Sequence, residues 1–145
     1  MYEEKKKNII TQKTWQKIIT VNIFEDSVED IKYAPSSFSF ILAAATNDGK
    51  VYLIDLNEIG TFNKKHVFQP ATKGVSCVSW NKCSYEPQIL AVGCKGSKEQ
   101  KDNLLTLWVN MGNTWKKFHS FLNNNSNMVN VLDVSWSLLN GRYFY

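Results

Sequence analysis

Val75-Ser76-Cys77-Val78-Ser79-Trp80 decides the fold, because its pattern occurs three times. Val28-Glu29-Asp30-Ile31-Lys32-Tyr33 precedes it and Val131-Leu132-Asp133-Val134-Ser135-Trp136 follows it. Each copy has an apolar residue first, an aliphatic one fourth and an aromatic one sixth. The copies start 47 and then 56 residues apart (28 to 75, 75 to 131). A repeat of roughly 40–45 residues, lengthened by loop insertions, marks stacked four-stranded β-blades. Repeat modules of this kind serve as surfaces for partners more often than as sites of chemistry.

Working outward from the phrases, the first blade spans about residues 28–68. Val28–Tyr33 is its innermost strand, with Ile31 and Tyr33 two apart and so on one face. Pro35 ends that strand, since it has no N–H to donate. Phe40–Thr46 is a nearly continuous apolar run, as a strand buried on both faces requires. Asn47-Asp48-Gly49 then predicts a tight hairpin with a primed turn. Lys50–Asp55 follows, and a partly polar outer strand runs over about Lys64–Phe68. The second blade spans about residues 75–121, with strands Val75–Trp80, Ile89–Cys94, Leu104–Val109 and about Thr114–Phe121. Its middle turn is replaced by nine polar residues, Lys95 to Asn103, expected to form a mobile tip. A third blade begins at Asn130–Trp136, after an Asn-rich loop over Asn123–Asn127.

Trp15–Phe24 alternates in part and is read as a further strand before the first blade. Met1–Lys13 is read as a polar, disordered leader, which leaves 14–145 for folded structure. No segment carries sustained 3.6-residue apolar periodicity, so the fold class is all-β. The expectation is a partial β-propeller of about two full blades plus flanking strands. Rings of this type close with about 4–8 blades. The reading is therefore either a fragment of a longer protein or a ring that other chains complete, because unpaired strand edges invite pairing.

Composition narrows the function classes. The chain is 43% hydrophobic and 21% charged, which is globular and not disordered. Its net charge is +4, but the lysines are scattered, and no basic and aromatic stripe predicts a nucleic-acid face. The longest apolar run, Phe40–Ala45, is six residues, far short of a membrane span of about 20. With a charged start at Met1–Asn8, this is read as a soluble intracellular chain, touching membranes only through partners. Cys77, Cys83 and Cys94 form no C-x-x-C pair and stand apart from His66 and His119, so no metal site is expected and the thiols are read as structural, in a reducing compartment.

No catalytic or cofactor set emerges. Asp26, Glu29 and Asp30 cluster, but on a turn leading into the innermost strand, and are read as a solvated acidic loop. There is no G-x-S-x-G elbow and no glycine-rich phosphate loop. His66 and His119 lie in outer strands without acidic neighbours in sequence, so no general base is assigned. Trp80 and Trp136, at the sixth position of their phrases, are expected in the core. Trp15 and Trp115 begin outer strands and are expected to pack between blades, or else to anchor a partner. The chain is read as a non-enzyme with no cofactor, and no short motif names partner-contact residues.

Particular stretches resemble a known family. Ile54-Asp55, after the Asp48-Gly49 turn, stands where WD-repeat blades place Trp-Asp, and Trp108-Val109 holds the same place in the second blade. The usual Gly-His before each innermost strand is missing, so the polar tetrad of an orthodox repeat is expected to be incomplete. Trp15–Leu56 contains V-E-D-I-K-Y-A-P and I-L-A-A-A-T-N-D-G-K-V-Y-L-I-D-L. Val75–Gly93 contains V-S-C-V-S-W-N and I-L-A-V-G, and Leu132–Tyr145 ends L-N-G-R-Y-F-Y. These resemble the Seh-type (Sec-thirteen homologue) WD-repeat nucleoporins, over about residues 15–145. Asn81-Lys82 and Ser137-Leu138 depart from the family's Asn-Pro and Ala-Pro at loop positions.

The resemblance implies a scaffold. Proteins of this family form an open propeller completed by strands from an α-solenoid nucleoporin, a form of β-augmentation. They sit in the Y-shaped outer ring of the nuclear pore complex at the nuclear envelope, supporting protein and messenger-RNA transport. They also join a coat-like complex of SEA/GATOR type that controls nutrient signalling at the lysosome or vacuole. The same phrases fit a Sec-thirteen-like subunit of the COPII vesicle coat. A WD-repeat adaptor of a ubiquitin ligase or a chromatin complex is the reading from another class.

Overall fold

The computed structural model describes residues 17, 19–35, 40–56, 61–82, 87–96, 104–112, 114–121 and 130–136. Met1–Lys13, Trp15, Cys83, the polar tip after Gly96 and the Asn123–Asn127 run lie outside the described residues. Among the described residues there are eight strands: β1 (Val28–Tyr33), β2 (Ile41–Thr46), β3 (Val51–Leu56), β4 (Phe62–Phe68), β5 (Val75–Trp80), β6 (Ile89–Cys94), β7 (Leu105–Asn110) and β8 (Trp115–Phe121). They make two antiparallel meanders, β1-β2-β3-β4 and β5-β6-β7-β8. These are two successive four-stranded blades of a partial β-propeller, hereafter blade 1 and blade 2.

The register explains the odd spacing of the repeated phrase. Simple alternation would place positions two, four and six on one face. In β1 the register slips between Val28 and Asp30, so Glu29 is an extra residue. In β5 it slips between Val75 and Cys77, so Ser76 is the extra residue. A β-bulge of this kind brings positions one, four and six onto the same face. Val28, Ile31 and Tyr33 thus lie opposite Thr46, Ala44 and Leu42. Val75, Val78 and Trp80 lie opposite Cys94, Val92 and Leu90. The outer strands match in the same way, with Lys65 extra in β4 and Phe118 extra in β8.

The core is the contact between the blades. One face of blade 1 (Ile41, Ala43, Ala45, Val51, Leu53) meets one face of blade 2 (Val78, Trp80, Leu90, Val92, Cys94). Ala43 and Ala45 of β2, both fully buried on this face, are what allow the close approach. Phe68 from β4 closes the outer side by packing on Trp108 and Trp115 of blade 2, with ring centroids 4.3 Å and 6.2 Å away. Trp115 in turn meets Trp80 edge-on at 5.7 Å. Trp115 therefore packs between blades.

The described parts of two expected strands form no ladder. Residues 19–24, within the expected strand Trp15–Phe24, pair with no sheet. Val21, Ile23 and Phe24 instead lie on Leu42, Ala44, Tyr52 and Ile54, covering the other face of blade 1. Phe24 meets Tyr52 edge-on at 5.2 Å. Their alternation reflects packing across a sheet, which asks for apolar side chains but not for ladder bonds. Residues 130–136 likewise belong to no ladder, although the Val131 N–H reaches the Cys94 carbonyl at 3.2 Å. The β2–β3 turn also differs from a two-residue primed turn. Thr46 N–H bonds to Lys50 O at 3.0 Å across a three-residue loop, with Gly49 at φ 87°. A side chain at residue 49 would also strike the Ala71 carbonyl, so only glycine fits.

Candidate functional site: the blade joint

The polar chemistry of the described residues concentrates where innermost strands meet. The Val78 N–H donates to Asp30 Oδ2 at 3.0 Å. The Trp80 indole N–H donates to the Lys32 carbonyl at 3.0 Å. One repeat later, the Trp136 indole donates to the Ser79 carbonyl at 2.9 Å. Lys32 and Ser79 are the fifth residues of their phrases. The rule is the same twice: the sixth-position indole binds the fifth-position carbonyl of the phrase before it.

Asp30 corrects the reading of Asp26, Glu29 and Asp30 as one solvated loop. Its carboxylate faces blade 2 and is partly buried, holding a backbone donor 48 residues away and Lys32 Nζ at 3.0 Å. The Asp30 carboxylate raises the Lys32 ammonium above its ordinary pKa, by hydrogen bond and by charge, against a smaller desolvation effect. Glu29 pairs with Lys95 of blade 2 at 3.3 Å, and Lys95 also donates to Asn47 Oδ1 at 2.9 Å. Asp26 accepts from Asn47 Nδ2 at 3.2 Å and from the Ser27 N–H at 2.7 Å. The acidic residues are thus joint-forming and turn-forming groups.

A second knot surrounds Lys50. Its ammonium bridges Asp48 Oδ2, at 2.8 Å, and Glu25. Thr46 Oγ1 donates to Asp48 Oδ1 at 2.5 Å. Burial pushes the Asp48 carboxyl up, but the bonds from Lys50 and Thr46 outweigh it, so its pKa falls below the ordinary value. Asp48 and then Glu25 hold the Lys50 ammonium well above its ordinary pKa. Backbone bonds run through the same region: Asn47 N–H to Ser27 O at 2.9 Å, Gly74 N–H to Asn47 O at 2.9 Å and Lys95 N–H to Gly74 O at 2.8 Å.

The two places of the Trp-Asp pair are equivalent in register, Ile54 opposite Leu42 and Trp108 opposite Leu90. Trp108 satisfies its indole within its own strand, donating to the buried Thr106 hydroxyl at 2.9 Å. The link that spans blades comes from Asp30 and Trp80 instead. That role escaped the sequence because the partners are backbone groups, which carry no side-chain signature. The remaining signal was the acid at phrase position three, present as Asp30 and Asp133 and replaced by Cys77 in the middle copy.

Cys77 and Cys94 are buried free thiols. Burial raises both above the ordinary thiol pKa, Cys94 to about 12. Both are therefore neutral and unreactive near neutral pH. His66 lies opposite Leu53 in β4, and His119 in β8 packs edge-on against Phe121 at 4.7 Å. Among the described residues, no three His, Cys, Asp or Glu side chains gather as a metal set, and no helix is long and apolar enough to cross a membrane.

No protein-family model matches the chain. It is similar to the protein SEC13 homolog of Drosophila melanogaster, with 26% identity over 143 residues, covering 88% of this chain and 37% of the relative. It is also similar to the protein transport protein sec13 of Aspergillus fumigatus, with 26% identity over 132 residues, covering 86% and 42%. The chain therefore spans about two fifths of the length of the curated relatives it matches. The similarity to Sec13-type WD-repeat proteins runs along most of the chain and agrees with the two-blade architecture.

Proposed function

We propose that this chain is part of a non-enzymatic WD-repeat scaffold in a transport-related protein assembly, and specifically in the Y-shaped outer ring of the nuclear pore. The observation that carries the scaffold reading is the joint itself. The polar groups that could have formed a site are spent on holding blade to blade: Asp30 on Val78, Glu29 on Lys95 and the indoles on backbone carbonyls. Similarity to Sec13-type proteins supports the transport context, and the Seh-like phrases support the pore. An α-solenoid nucleoporin is the partner we propose, at the nuclear envelope, with a second role in a coat-like nutrient-signalling complex at the lysosome or vacuole. We further propose that residues 130–136 open a third blade.

The name of the Aspergillus relative, a protein transport protein, favours one second reading: a subunit of a vesicle coat. Affinity capture of the tagged full-length protein with imaging separates the two. Recovery of α-solenoid nucleoporins with a nuclear-rim signal supports the pore reading. Puncta at endoplasmic-reticulum exit sites, with coat subunits recovered, would replace it with the coat reading.

A further inference from the structure

Residues 130–136 dock on blade 2 as a strap whose hydrogen bonds to the blade lie at its two ends. At one end, the Val131 N–H reaches Cys94 O at 3.2 Å and Ser76 Oγ donates to Val131 O. Beside it, the Gly96 N–H donates to Asn130 Oδ1 at 2.9 Å. At the other end, the Trp136 indole donates to Ser79 O at 2.9 Å. Between these anchors Val134 is half-buried, while Leu132 is 83% exposed and Asp133 and Ser135 are exposed as well.

The seat is shaped for this segment. Val131 Cγ1 lies 2.6 Å from where a Cβ on residue 93 would stand, and Cys77 Sγ lies 2.5 Å from it. Any side chain at position 93 would expel Val131. Gly93 is thus the floor of a slot for one aliphatic side chain, and the Ser79 carbonyl is the acceptor for an indole five residues further on. The groove reads the spacing Val-x-x-x-x-Trp. The strap forms no ladder with blade 2, so its local opening is cheaper than unfolding of the blades.

We propose that this groove accepts the phrase of residues 130–136 in trans, from a second copy of this chain. Groove and phrase are carried by every copy, and exchange of identical segments creates no new contact chemistry. In the undisturbed chain the tethered strap competes at an effective concentration of about millimolar, so exchange is favoured only when the strap is released or the protein is concentrated. This inference does not depend on the pore reading.

Complementation between full-length variants tests it. Gly93→Val leaves a chain that donates its strap but cannot accept one. Val131→Asp with Trp136→Ala leaves a chain that accepts but cannot donate. Each alone sediments as a monomer, and an equimolar mixture at tens of micromolar gives a 1:1 species. A mixture that stays monomeric overturns the proposal, as does association of either variant alone. A second measurement covers the case in which Gly93→Val fails to fold. A fluorescent peptide of residues 130–136 should bind the Val131→Asp/Trp136→Ala chain at least tenfold more tightly than wild type. Changing the peptide's tryptophan to alanine should weaken binding at least tenfold. Equal binding in either comparison overturns the proposal.

Discussion

β1 and β5 carry the same phrase with the same bulge, yet their equivalent side chains meet opposite fates. Val75, Val78 and Trp80 are 0%, 0% and 4% exposed, whereas Val28, Ile31 and Tyr33 are 39%, 53% and 63% exposed. The pattern therefore states which way a side chain points and not whether it is covered. Positions one, four and six of a phrase face toward the preceding repeat. In β5 that direction holds blade 1. In β1 the neighbouring residues Val21, Ile23 and Phe24 reach the β2–β3 part of the face and leave the β1 part open.

This contrast is best broken at position six. Trp80→Ala should destabilise the protein by about 3–5 kcal/mol, because it empties a buried aromatic site and leaves the Lys32 carbonyl without its donor. Tyr33→Ala should cost no more than about 0.5 kcal/mol, as expected for an exposed side chain. Urea unfolding followed by circular dichroism measures both. Position four sharpens the point with smaller groups. Val78→Ala should cost about 2 kcal/mol and Ile31→Ala about 0.5 kcal/mol or less. Comparable losses at both members of a pair would mean that β1 is covered as β5 is.

Asp30 tests the polar half of the joint. Asp30→Ala should cost about 1–3 kcal/mol, since the buried Val78 N–H loses its acceptor. Amide exchange at Val78 should accelerate in that variant while amides of β7 stay protected. A smaller effect comes from acid. The Asp48 carboxyl titrates below its ordinary value when folded, so its ion pair with Lys50 contributes fully above about pH 4 and is lost as pH falls through the folded value. Asp48→Asn should flatten that part of the stability–pH curve and leave the neutral region otherwise similar in shape. The thiols give the mildest test. Cys94 should resist iodoacetamide at pH 8 in the folded protein and react once urea unfolds it.

Much of this fold was legible in the sequence, for reasons that can be named. Val28–Tyr33, Val75–Trp80 and Ile89–Cys94 read directly as strands because apolar positions and flanking polar turns agree on their ends. The outer strands β4 and β8 were blurred by bulges at Lys65 and Phe118, which break alternation in strands that also carry several polar side chains. Residues 19–24 misled because an apolar segment laid over a sheet shows the same alternation as a strand within it. The joint was the least legible part. Its acceptors are the carbonyls of Lys32 and Ser79 and its donors include the Val78 amide, groups that every residue possesses. Only the side-chain ends, Asp30, Trp80 and Trp136, leave a mark in the sequence.

The most direct measurement is hydrogen exchange at the tryptophan side chains, read as indole N–H resonances assigned by single Trp→Phe replacements. The resonance lost in Trp80→Phe should exchange at least a hundredfold more slowly than free indole, because that donor is buried on the Lys32 carbonyl. A Trp80 indole exchanging as fast as free indole would contradict the joint on which the two-blade account stands.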